Sequence, residues 1–224
     1  MAGIRRGVLL SSYFAQFDRI WSELRLSGRH PYIRSRRDQE AAALEAGGVQ
    51  MDVLILELPY IFGGMPGRMP FWKSLVDYLH WPLLWVFYMK GGPAMISVDH
   101  VAEAIIGALK QGQDGARCLI GDENLTRTEL LNRLMVAGGW KKRVVLLPNW
   151  LLWMGLGVVK GWHWLQGREG GLDPTRFLAP QPRKTFIDPR PAQDALGFEG
   201  GGLVAAFRET MRACGYALES DEVN

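Results

Sequence analysis

The chain has 224 residues, a formal net charge of +3, 48% hydrophobic and 22% charged residues, which describes a globular protein able to bury a core. So small a charge does not imply a polyanionic partner, and no nucleic-acid partner is expected. Two distant cysteines (Cys118, Cys214) and four scattered histidines offer neither a disulfide framework nor a metal site, and a reduced, cytoplasmic setting is the simpler expectation.

In chain order, Gly7-Val8-Leu9-Leu10 reads as a buried strand that ends in the hydroxyls of Ser11, Ser12 and Tyr13, where a parallel strand opens onto a cleft. Residues 18–26 form a short segment able to lie over that cleft. The stretch from His30 to Arg36 leads into a helix over 37–46, stopped by Gly47-Gly48. Tyr32 and Arg36 are four apart, so on a helix they share one face. Residues 52–58 form a second strand, near-continuously apolar as a doubly covered parallel strand should be. Strand, helix, strand makes a βαβ unit.

A dense turn follows over 63–70, then a helix over 71–79. The apolar run 81–89 is too short for the ~20 residues of a membrane span, and a core or interfacial helix is its first reading. Membrane contact stands second, for this run and for the longer one over 144–159. Further on come a strand over 95–98, a helix over 101–111 capped by Asp99, and a strand over 118–122. Thr126 and Glu129 have capping-box spacing before residues 130–135, and a strand over 144–147 ends at Pro148. Loops over 167–191, a helix over 203–214 and a frayed acidic tail over 219–224 complete the chain.

Four stretches carry a resemblance: the serine-ended strand with Tyr32 and Arg36 after it; Leu54 to Gly63, with Pro59 and Gly63 in its exit loop; Met95 to Ile105; and Cys118 to Asp122 followed by Thr126-Arg127-Thr128-Glu129. In this order they resemble the short-chain dehydrogenase/reductase superfamily, in its extended branch of NAD-dependent epimerases and dehydratases. That family carries a strand-end serine and a Tyr-x-x-x-Lys pair. Here Arg36 stands at the lysine position, and no G-x-G-x-x-G lies between a strand and a helix. The resemblance covers residues 3 to about 148 well and implies the C-terminal portion of the fold, without its dinucleotide-binding half. The expected architecture is α/β: the later strands of a Rossmann-like parallel sheet in one truncated domain, with 60–95 and 140–200 supplying most of a small substrate lobe.

The resemblance also implies roles. Ser12, with Ser11 as the second choice, would orient the substrate oxygen, Tyr32 would exchange its proton, and Arg36 would supply the positive charge that favours a phenolate over the ordinary tyrosine pKa of about 10. Guanidinium does not deprotonate in proteins, so Arg36 does not relay protons as a lysine can. Ser11, Tyr32, Arg36, Pro59, Tyr60 and Ile61 would face the cofactor, and Tyr13, Phe62 and Arg68 the substrate. NAD or NADP is expected for the full-length parent and not for this chain. The substrate is a small molecule reacting at a carbinol or carbonyl carbon, and homodimerisation is expected to be weak or absent. The rival reading is a binding or regulatory protein that keeps the fold without catalysis. Early arginines, Arg5 to Arg37, fit a solvated helix face first and a phosphate site second.

Overall fold

The computed structural model describes residues 3–148 and 183–216. The chain runs β1 (Arg6–Ser12), α1 (Tyr13–Ile20), a 3-10 turn (Ser22–Leu24), α2 (Leu26–Arg29), α3 (Pro31–Gly47), β2 (Asp52–Leu58), β3 (Tyr60–Phe62), α4 (Lys73–His80), β4 (Trp85–Met89) and β5 (Gly92–Ser97). It continues with α5 (Val98–Gln111), β6 (Arg117–Leu119), β7 (Glu123–Asn124), α6 (Arg127–Ala137), β8 (Arg143–Leu147), β9 (Lys184–Thr185), α7 (Arg190–Leu196) and α8 (Leu203–Ala213). These divide into two compact units, one of residues 1–63, 94–124 and 187–206, the other of 64–93, 125–186 and 207–224.

The first unit is built on a parallel sheet ordered β1-β2-β6. β1 and β2 pair from Arg6↔Asp52 to Ser12↔Leu58, so the βαβ unit read from the sequence is present with its strands in parallel register. Pro59 has no N–H to donate, and it separates β2 from β3. β3 then pairs with β5, from Tyr60↔Met95 to Phe62↔Ser97. The architecture is α/β and Rossmann-like, as expected.

β2 is buried on both faces. Leu54 and Leu56 pack with Ile96 of β5, with Val101, Ala104 and Ala108 of α5, with Ala192 and Leu196 of α7, and with Phe198. Alternation along the strand turns Val53, Ile55 and Glu57 to the other side. A second cluster gathers Tyr13, Phe14 and Phe17 of α1 with Leu26, Ile33, Ala94 and Ile187. α5 and α7 approach closely: a Cβ at Gly107 would overlap the Leu196 carbonyl oxygen, so glycine is required there.

Several expectations are corrected. Gly7 to Leu10 is half-buried rather than buried, with Leu10 38% exposed, because among the described residues β1 is the edge strand of its sheet. Residues 13–20 form a helix, since Ser12 caps an amphipathic stretch. α3 starts at Pro31, six residues before the expected 37–46, because proline suits the first helical position; Tyr32 and Arg36 therefore lie inside it. The cap of α5 is Ser97, whose hydroxyl accepts the His100 N–H; Asp99 sits in the first turn. In the second unit, 85–89 is a strand and not a helix, paired in parallel with β8 from Trp85↔Arg143 to Met89↔Leu147. The Thr126–Glu129 capping box is formed. The expectations for 149–182 and 219–224 lie outside the described residues.

Candidate functional site

The serines that close β1 are both buried and differ in use. Ser11 donates its hydroxyl to Glu40 Oε1 of α3 at 2.5 Å. The Ser12 oxygen accepts the Phe14 N–H at 3.4 Å as the cap of α1, an interaction that does not use its own proton.

α3 carries Tyr32, Arg36 and Glu40 at intervals of four, a stripe along one side of the helix. Exposure falls along it: Tyr32 is 40% exposed, Arg36 half-buried and Glu40 buried. Tyr32 lies two turns, about 12 Å along the axis, from the carboxylate that holds Ser11. The Arg36 guanidinium stands over the Tyr32 ring at 5.1 Å and donates to Gln39 Oε1 at 2.9 Å. His30 meets the same ring edge-on at 6.4 Å. Thus the tyrosine and its cation are brought together by one helix, and Ser11 is tied to that helix through Glu40.

Glu40 belongs to a buried ionic network that carries no motif in the sequence. Arg19 of α1 reaches Glu40 Oε2 at 2.9 Å with one guanidinium nitrogen and Glu57 with another, while Arg117 Nε lies 3.6 Å from Glu40. Burial pushes the Glu57 carboxyl up to about 7, against the pull of the Arg19 hydrogen bond and charge. One sequence signal points to it: a glutamate inside the apolar run Val53–Leu58 needs a buried partner. Glu57 also lines a cleft of about 250 Å³ with Gln16, Arg117, Cys118, Leu119 and Asp188. The Cys118 thiol is pushed up by burial and by the Glu57 charge.

The other sequence candidates are placed as follows. Tyr13 is 1% exposed and packs at 4.7 Å on Phe14, 5.3 Å on Phe17 and 6.3 Å on Tyr60 between ring centroids. Pro59 and Phe62 are buried, Tyr60 half-buried and Ile61 exposed. Arg68 belongs to the second unit, where its N–H closes a turn onto the Met65 carbonyl at 3.1 Å. Among the described residues no group of three His, Cys, Asp or Glu is placed to hold a metal, and no helix is long and apolar enough to cross a membrane.

No protein-family model matches the sequence, and no curated protein matches it. Solved structures do. The chain is similar to gox2253 over 97% of its own length and 69% of that chain, with 17% identity and a TM-score of 0.71. It is similar to a nucleoside-diphosphate-sugar epimerase of Pseudomonas aeruginosa over 84% of itself and 57% of that chain, at 17% identity and TM-score 0.60. RMD of the same organism, solved with NADPH, aligns over 82% of this chain and 55% of its own at 15% identity and TM-score 0.56. The chain thus spans little more than half the length of the latter two. At these identities the likeness is one of fold, a Rossmann-like fold.

Proposed function

We propose that the chain is the proton-handling portion of an NAD(P)-dependent epimerase- or reductase-type oxidoreductase acting at a carbinol or carbonyl carbon. The observation that carries the reading is the Tyr32–Arg36 stack in the first turns of α3, the helix that joins the serine-ended β1 to β2. In this reading the Tyr32 hydroxyl gives a proton to the substrate oxygen or takes it, the Ser12 hydroxyl orients that oxygen, and Arg36 stabilises the negative charge left on the phenol. Because guanidinium keeps its protons, the phenol must exchange protons through water.

The residues of this chain do not fit the diphosphate of a dinucleotide. Such a group takes the free N–H groups of a helix N-terminus behind a glycine-rich turn. At α1 and α5 one such N–H each, of Phe14 and of His100, is taken by the chain's own Ser12 and Ser97 hydroxyls, and the glycine fingerprint is absent from the sequence. Alone, the chain is therefore read as impaired in turnover. A second reading, a binding protein that keeps the fold without catalysis, is favoured by the same capped helix ends and by arginine at position 36. Calorimetric titration with NAD and NADP tests the missing diphosphate site: weak or undetectable binding to this chain is expected, and micromolar affinity would overturn the reading of an impaired chain.

A further inference from the structure

We infer that the β4–β8 ribbon of the second unit docks on an anionic membrane surface, with its outer face in the interfacial layer and no span across the bilayer. Trp85 and Phe87 lie on one side of β4, opposite Arg143 and Val145 of β8, while Val86 turns the other way and is 2% exposed. Parallel strands ordinarily have both faces covered. Here the outward positions hold Trp85, Phe87 and Val145, all exposed, with a guanidinium at one end.

The preceding loop extends the same apolar surface. Trp81, Leu83 and Leu84 are 63%, 50% and 72% exposed, and Leu84 and Trp85 border a cleft of about 590 Å³ with Met135, Val136, Trp140 and Arg143. The loop is held out: Lys142 Nζ donates to the carbonyls of Leu79 and Trp81, and the Tyr78 hydroxyl both donates to and accepts from the Phe87 backbone at 2.9 Å. These bonds fix the backbone of the loop and of β4.

Charge selects the occupant. Residues 81–90 and 140–148 hold Lys90, Lys141, Lys142 and Arg143 and no aspartate or glutamate. Exposed tryptophan and leucine beside basic side chains match the headgroup region of an anionic leaflet, where indole rings settle and lysine and arginine meet lipid phosphate and carboxylate.

The test is co-sedimentation of the whole chain with vesicles of phosphatidylcholine alone and with vesicles of equal parts phosphatidylcholine and phosphatidylserine. Binding is expected to the mixed vesicles only and to weaken as salt is raised. Charge reversal in Lys141→Glu/Arg143→Glu should lower the affinity at least roughly tenfold at the usual strength of a basic residue near an anionic surface. The separate pair Trp85→Ser/Phe87→Ser, folded by circular dichroism, should abolish binding. No binding to the mixed vesicles, or binding that both variants retain, would overturn the inference. So would self-association that these variants relieve without any vesicle binding, which would assign the face to a second copy of the chain.

Discussion

Ser11 and Glu40 are 29 positions apart in sequence and joined by a 2.5 Å hydrogen bond, which ties the carboxyl end of β1 to the middle of α3. The same carboxylate faces Arg19 and Arg117, so one side chain fixes the position of the helix that carries Tyr32 and Arg36. Glu40→Gln keeps the shape and removes the charge, leaving Arg19 facing Glu57 alone. Breaking a buried ionic link of this kind costs about 3 kcal/mol. A urea unfolding curve with a midpoint lowered to that extent, and an unaltered slope, is the expected outcome.

Glu57 gives the fold a pH dependence of definite sign. Its carboxyl rises from 4.5 to about 7 on folding, so between these values the folded chain holds a proton that the unfolded chain has released. Raising the pH through that window therefore weakens the fold, by an amount on the order of 3 kcal/mol at most from this group. Glu57→Gln should flatten this part of a pH series of unfolding midpoints. A wild-type midpoint that climbs steadily across the window, unchanged by the substitution, would refute the assignment.

Gly107 tests the packing of α5 on α7. An added methyl group there meets Leu196 backbone and not a flexible side-chain end, so the helices must separate. Gly107→Ala should destabilise the first unit by about 3 kcal/mol, the upper range for overpacking. It should do so although alanine favours helices more than glycine does. Thermal unfolding followed by circular dichroism checks it.

Much of the first unit was legible in the sequence because its signals are local. The apolar run of β2 and the βαβ spacing each depend on near neighbours, as does the Thr126–Glu129 box of the second unit. The start of α3 differs from the expected 37–46 because Pro31 takes the first helical position. β4 was misread because a short apolar run has no periodicity that separates strand from buried helix. The Arg19–Glu40–Glu57 network was not legible: its members lie in three different elements, and only the glutamate inside β2 gave notice of it. The contact between Tyr32 and Arg36 is legible because one helix places both.

The central claim rests on the phenol of Tyr32, and replacing it is the direct measurement. The chain would be joined to a dinucleotide-binding half placed ahead of Gly3, and nicotinamide reduction followed over a panel of nucleotide sugars and simpler carbinols. Loss of a positioned acid–base group costs roughly a hundredfold or more in rate. Tyr32→Phe is expected to lose that much turnover while the unfolding midpoint stays near that of the parent, the side chain being 40% exposed. Turnover in Tyr32→Phe equal to that of the unsubstituted protein would contradict the account.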